Sequence, residues 1–134
     1  MSVSLSLTAR KARILGMRDA LDVGGAKVLY YAGMPPAEPS DDAGQILLGT
    51  VALVSPCGAL GDANGLATLT LNVPKTTLAV ESGVIGWLRL TNGAGQGFLD
   101  LLAGLAGSGK PALINVGQVF AGGEIQLVSC TLAE

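Results

Sequence analysis

The spacing of apolar residues predicts one helix near the start of the chain. In residues 8–22 the apolar side chains recur at intervals of three and four, on one face of an α-helix: Ile14, Met17 and Leu21. Thr8 is a suitable N-cap, and two glycines at 24–25 provide a stop. We therefore predict a helix over 8–22.

A short alternating segment precedes this helix. Val3, Leu5 and Leu7 alternate with serines, a pattern typical of an edge strand or an extended arm. Such an arm is able to reach a neighbouring molecule. Val3, Leu5 and Leu7 are therefore the candidate self-association residues.

After residue 25 the hydrophobic period falls to two, which indicates β-strands. Gly, Pro and Asn separate the apolar runs, as expected for short strands joined by turns. The predicted strands are 27–32, 45–55, 66–73, 84–91, 97–102, 112–119 and 124–132. Segments 33–44 and 58–65 are predicted to be loop and turn, and 84–91 with 97–102 to form a hairpin.

Seven strands, or eight with the arm, predict an all-β fold: a single β-sandwich or jelly roll with one N-terminal helix. After residue 25 the sequence lacks the helical periods that an α/β fold needs between its strands. The 134 residues fit one domain, with 1–25 as arm and helix and 26–134 as the β-sandwich body. We expect less than about a fifth of the residues to be helical.

The composition argues against catalysis. The chain has no His, which excludes His-based acid–base catalysis, His-containing triads and His-ligated metal sites. Residues 104–110 (GLAGSGK) match the start of a phosphate-binding loop, but Pro111 replaces the Ser or Thr that would hold Mg²⁺, and strand-like residues follow it. We expect no enzymatic activity, no metal site and no cofactor.

Two pairs of residues each allow two interpretations. Cys57 and Cys130 lack metal-site spacing and are expected to be buried thiols, with a disulfide between them as the alternative in oxidising surroundings. Trp87 and Arg89 share one face of the predicted strand 84–91. They form either an exposed cation–π pair that recognises sugar or protein, or part of the core.

Charge is scarce and unevenly placed. Charged residues make up 13% of the chain, about half the usual share of roughly 25%. So little charge indicates a surface partly covered by neighbours, and we expect a dimer or trimer. The net charge is −2, yet residues 1–18 contain four cations and no anion: Arg10, Lys11, Arg13 and Arg18. Such a basic segment either forms a solvated helix face, which is the commoner outcome, or docks against an acidic partner surface, which is our hypothesis for these four cations.

Nucleic acid and membrane are not expected partners. The four cations lack the interleaved aromatic residues that nucleic-acid binding favours. The longest apolar runs are shorter than the roughly 20 residues of a membrane helix. The N-terminus lacks the basic and apolar regions of a signal peptide, so we expect synthesis in the cytoplasm.

The order of several stretches resembles a family of small structural proteins of tailed bacteriophages and prophages. The stretches are 8–25 (TARKARILGMRDALDVGG), 27–36 (KVLYYAGMPP), 47–56 (LLGTVALVSP), 87–93 (WLRLTNG) and 128–132 (VSCTL). They span nearly the whole chain in register. Residues 97–106 depart from many members of the family: they are richer in Leu, whereas a Gly- and Asp-rich hairpin is usual at this position. Whether these residues form a different contact between subunits is left open.

This resemblance implies a non-enzymatic virion structural protein, of the capsid cement or decoration type. The implied partner is the major capsid protein, with Arg10, Lys11, Arg13 and Arg18 as the candidate docking residues. The implied location is the outer capsid surface, after synthesis in the host cytoplasm. The alternatives are a tail or head–tail component, and a host-surface carbohydrate-binding module that uses Trp87 or the loops.

Overall fold

The computed structural model of the chain describes residues 4–39, 44–72 and 75–133 and has an all-β architecture with a helix near the N-terminus. Only 13% of the residues are helical, as the periodicity predicted. The elements are α1 (Leu7–Asp22), β1 (Lys27–Ala32), β2 (Leu47–Ala52), β3 (Gly58–Ala63), β4 (Leu66–Leu71), β5 (Lys75–Leu78), β6 (Gly83–Thr91), β7 (Gly97–Gly104), β8 (Ala112–Ile114), β9 (Gln118–Val119) and β10 (Glu124–Ala133).

The strands form one curled mixed sheet in the order β2-β1-β6-β7-β8-β10-β4-β3. Neighbours are antiparallel except for β7 and β8, which are parallel. β5 pairs with the first half of β10 and β4 with its last residues, so both lie along one long strand. The curl brings β2 beside β5. Two hydrogen bonds join them: the N–H of Val80 donates to the Leu48 carbonyl at 2.9 Å, and the Thr77 hydroxyl donates to the Thr50 carbonyl at 2.9 Å.

The core lies inside the curl, where alternate residues of each strand point. Its strand residues include Val28, Tyr30, Leu69, Leu71, Leu88, Leu90, Ile125 and Leu127. Ile14 and Leu21 of α1 join the same cluster. The helix has no acidic residue in its first turn and no basic residue in its last, so its dipole gains nothing from its own charges. Packing against the sheet therefore supplies most of its stability.

The helix prediction is confirmed, but its start is different. α1 begins at Leu7, and Ser6 is the N-cap, because its hydroxyl accepts the N–H of Ala9 at 3.1 Å. Thr8 lies inside the first turn. The segment before the helix was predicted to be an edge strand or an extended arm, and the edge strand is wrong for the described residues: residues 4–6 have no regular structure, and Leu7 is helical and packs against the core. Val3 lies outside the described residues.

Strand β3 occupies most of the segment that was predicted to be turn. It pairs with β4 from Gly58 opposite Leu71 to Ala63 opposite Leu66. The turn itself is Asn64-Gly65, and both residues have positive φ (53° and 78°), as a tight hairpin requires. The small and polar residues of β3 hid the strand, and long-range pairing with β4 overrides their low β-propensity.

Most other strand predictions are confirmed, with changed ends. The predicted hairpin is the antiparallel pair of β6 and β7. The predicted strand 112–119 divides into β8 and β9, because the chain crosses from β10 to β6 at residues 115–117. β5 was not predicted: four residues are too short for a clear period of two.

Gly93 provides a test of the contact between the end of α1 and the β6–β7 turn. Its N–H donates to the Val23 carbonyl at 2.9 Å, and a Cβ on Gly93 would overlap the backbone of Gly24. We expect Gly93→Ala to lower the free energy of unfolding by about 1–3 kcal/mol, because the backbone must shift. Urea denaturation measures this loss.

The control is Gly16→Ala, since nothing lies within 4 Å of a Cβ at this helical position. That substitution should raise the free energy of unfolding by about 0.5–1 kcal/mol. A neutral Gly93→Ala would contradict the close approach.

Candidate interaction surfaces

Three of the four predicted docking cations contact the β3–β4 hairpin of the same chain. The guanidinium of Arg10 donates to a carbonyl of the hairpin turn at 3.0 Å. Lys11 Nζ lies 2.7 Å from a carboxylate oxygen of Asp62. The guanidinium of Arg18 donates to the Gly58 carbonyl at 3.4 Å. These contacts attach α1 to the hairpin, although each exposed ion pair contributes no more than about 1 kcal/mol.

Arg13 lies at an apolar groove instead. The groove has a volume of about 550 Å³ between α1, β7, the start of β8 and the end of β10. Arg13 and Thr131 are its polar lining residues, and the others are apolar: Ile14, Met17, Leu99, Leu101, Pro111, Leu132 and Ala133. Local patterns gave no sign of this groove, because it depends on where three distant segments end.

A second apolar surface lies at one end of the molecule. We call it the apolar end and define it by Ile46, Leu78, Val80, Val84 and Phe120, which are between 58% and 67% exposed. Backbone hydrogen bonds bring their segments together: residue 80 to residue 48, and residue 79 to residues 122 and 123. In addition, residue 84 pairs with residue 118. Five large apolar side chains exposed at one end are typical of a protein-binding surface.

The charges of the apolar end are acidic. Glu81 and Glu124 are exposed in the segments that form it. Residues 44–49, 76–85 and 118–124 contain no Lys or Arg, and Lys75 lies at the other end of β5, opposite Leu127. A partner that docks there would present neutral or basic groups around an apolar centre.

Trp87 and Arg89 form the cation–π pair that the sequence allowed, but the pair is buried. The Arg89 guanidinium carbon lies 5.3 Å from the centre of the Trp87 ring, and Tyr31 stacks on that ring at 4.6 Å. The guanidinium also donates two hydrogen bonds to Asp100, at 2.7 and 3.1 Å. Trp87 is fully buried and its indole N–H donates to the Ala32 carbonyl, so this ring is not available to a sugar.

The chain after β1 helps to cover this buried pair. A Cβ on Gly97 would meet both the Arg89 side chain and the Pro39 backbone. A Cβ on Gly86 would overlap the backbone of Gly33. Residues 33–39 therefore pass directly against β6 and β7, and the two glycines permit this close approach.

Both cysteines are buried free thiols, and the disulfide alternative is not formed. Burial raises the pKa of each thiol to about 12, and in Cys57 a contact with the Asp22 carboxylate adds to the effect. The same carboxylate accepts the backbone N–H of Cys57 at 2.9 Å, at the end of α1. Thiols held protonated in this way are poor nucleophiles.

Residues 104–111 do not form a phosphate-binding loop. Gly107 and Gly109 have positive φ, and the chain continues into strand β8 rather than into a helix whose N-terminus could bind phosphate. Within the described ranges, no group of three Cys, Asp or Glu side chains is arranged to hold a metal ion. In the same ranges, no helix has the length and mean hydropathy needed to cross a bilayer.

Comparisons of the chain with protein-family models, with curated proteins and with solved structures found no match.

The buried pair of Arg89 and Asp100 predicts a large loss of stability when one partner is removed. We expect Asp100→Ala to lower the free energy of unfolding by about 3–5 kcal/mol, because the guanidinium stays buried without this carboxylate. Denaturation followed by fluorescence measures the loss at the site itself, since Trp87 is the single tryptophan.

The matched control is Asp62→Ala, which removes the exposed partner of Lys11 and should cost no more than about 1 kcal/mol. Equal losses in the two variants would contradict the structural role of the buried pair.

The raised thiol pKa values predict a loss of stability in alkali. The pKa of the unfolded thiols is near 9, whereas in the folded chain it is about 12. The stabilisation is therefore complete below pH 9 and is lost as the pH rises from 9 to 12, because the unfolded state releases protons first. Urea midpoints at a series of pH values measure this decline.

A Cys57→Ala/Cys130→Ala variant should show a shallower decline over the same range, whatever its stability at pH 7. An unchanged slope would assign the alkaline loss to other groups, such as Tyr30, whose pKa burial also raises.

Proposed function

We propose that this chain is a capsid cement or decoration protein of a tailed-phage particle, which binds the major capsid protein from outside. The resemblance of five ordered stretches supports the virion context. The observation that carries the docking role is the apolar end, where five large side chains are more than half exposed. The protein acts by binding and has no enzymatic step.

Docking through the apolar end fits the physical task of a cement protein. Such a protein opposes the internal pressure of packaged DNA by burying area across capsid subunit boundaries, and symmetry repeats each modest contact. Interface centres are apolar and depleted in charge, with polar groups at the rim. Exposed Val80 and Phe120 supply the first feature, and Glu81 and Glu124 supply the second.

The basic residues of α1 provide a second candidate docking surface. Their contacts with the β3–β4 hairpin leave Lys11 accessible, with 44% of its side chain exposed. Docking through Arg10, Lys11, Arg13 and Arg18 would depend on long-range charge attraction and would weaken with salt. Docking through the apolar end would depend mainly on apolar burial and would involve none of these cations, so substitutions at each surface distinguish the two.

We expect Val80→Ser/Phe120→Ser to weaken binding to undecorated capsids more than tenfold, because the variant removes two large apolar groups from the contact. The measurement is a binding isotherm of purified protein on undecorated capsids across a salt series. The matched control is Val23→Ser, a residue 64% exposed beside the β6–β7 turn, at the other end of β6 from Val84. This control should bind like the parent.

Three results would change the proposal. Equal binding of the Val80→Ser/Phe120→Ser variant would exclude the apolar end. A flattened salt dependence in Lys11→Gln/Arg18→Gln, with affinity lost at low salt, would assign docking to α1. Gel densitometry of whole particles tests the location: hundreds of copies indicate the capsid, and tens or fewer indicate a tail component.

A further inference from the structure

The apolar groove is a gap, one strand wide, in the curled sheet. β8 pairs with β7 only at Ala103 and Gly104, and its pairing with β10 ends at Cys130. β7 begins six residues before this point, and β10 continues for three residues beyond it. In the described part of the chain no strand pairs with β7 or β10 on the sides that face this gap.

The loop before β8 explains why the gap exists. The N–H of Ser108 donates to the Leu105 carbonyl at 3.0 Å, and Gly107 and Gly109 have positive φ, so the loop turns back on itself. A Cβ on Gly104 would overlap the side chains of Ser108 and Lys110. The loop therefore folds against the end of β7, and the chain enters the sheet only at Ala112.

The dimensions of the gap suit an added strand. Adjacent strands lie about 4.8 Å apart, so β7 and β10 are about 10 Å apart where β8 lies between them. A separation continued at this width beyond the start of β8 has room for one strand. The cross-section of a strand is about 4.8 by 10 Å. The groove volume of about 550 Å³ therefore holds a strand about 11 Å long, which corresponds to about three to four residues. Both flanking edges offer backbone groups to such a strand, as in β-strand addition.

The inner and outer faces of the gap differ in polarity. On the inner side α1 closes it with Ile14 and Met17, and β7 and β10 add Leu101 and Leu132. The outer side is open to solvent, where Thr131 is exposed. A fitting strand would alternate apolar residues, facing inward, with small polar residues, facing outward.

We propose that the N-terminal arm of a second copy of this chain fills the gap as an added strand. The arm sequence 1–6 (MSVSLS) has the required alternation, with Val3 and Leu5 facing inward and serines facing outward. Ser4, Leu5 and Ser6 are all exposed in their own chain, so they do not fill their own groove. Two copies that exchange arms would form a closed symmetric pair.

Two substitutions on opposite faces of the arm test this exchange. We expect the parent chain to sediment as a dimer or larger species at high micromolar concentration, and Val3→Asp/Leu5→Asp to sediment as a folded monomer. Ser2→Asp/Ser4→Asp adds the same two charges on the outward face and should keep the parent's assembly. A monomeric parent, or an unchanged Val3→Asp/Leu5→Asp variant, would overturn the proposal.

A disulfide formed between two chains tests the position of the arm. A Ser4→Cys chain mixed with a Thr131→Cys chain under mild oxidation should give a cross-linked heterodimer, because both side chains face outward and the arm passes along the end of β10. The native thiols are buried and do not compete. The control mixture of Ser4→Cys with Val54→Cys, an exposed residue after β2, should give much less product.

A Ser4→Cys/Thr131→Cys chain that closes only within itself, as a monomer, would show that each arm fills its own groove, and would also overturn the proposal. Neither experiment contains capsids, so these outcomes are independent of the proposed capsid role.

Discussion

The pairing of β10 with its neighbours is the constraint on which the rest of the structure depends. This ten-residue strand pairs with β5 and then β4 along one edge and with β8 along the other. Its side chains Ile125, Leu127 and, beyond an irregularity in the pairing with β8, Cys130 are fully buried. Because one strand joins the two halves of the curled sheet, the positions of its two ends also fix the two candidate surfaces. The apolar end lies where β10 begins, and the groove lies where β10 continues beyond β8.

Many of the charged side chains in the described residues serve the fold. Lys11 and Arg18 attach α1 to the hairpin, and Asp22 holds the backbone of Cys57 at the helix end. Arg89 and Asp100 are paired inside the structure, where burying two charges without each other would be costly. A chain with so few charged residues, and with many of these in internal contacts, leaves large apolar side chains to form its surface. This distribution favours association with other proteins over recognition of ionic ligands.

The sequence was informative wherever structure follows from local periodicity. The stripe of Ile14, Met17 and Leu21 predicted α1, and the alternation in 66–73 predicted β4. β3 and β5 were missed because each is defined by its partner: β3 by the Asn64-Gly65 turn and β4, β5 by its register with β10. Propensity alone does not identify such strands.

The surfaces were less predictable than the fold, for the same reason. The sequence places the four cations in one basic segment, but the hairpin that contacts three of them was predicted to be a turn. Trp87 was left open between core and surface, and residues 33–39, which are far from it in sequence, help to cover it. The groove depends on three separate segment ends meeting at one place, which periodicity does not describe.

The two proposed contacts use opposite parts of the molecule and are therefore compatible. The arm and the groove lie beside α1, whereas the apolar end lies at the far end of β6. In the proposed arm-exchanged pair each copy would keep its apolar end free, so one assembly would present two identical docking surfaces at a fixed spacing. When both surfaces meet matching sites on a symmetric lattice, the second contact forms at high effective concentration, and weak individual contacts give tight overall binding. Geometry then decides the outcome, because the gain is lost entirely when the spacing of the pair and that of the lattice disagree.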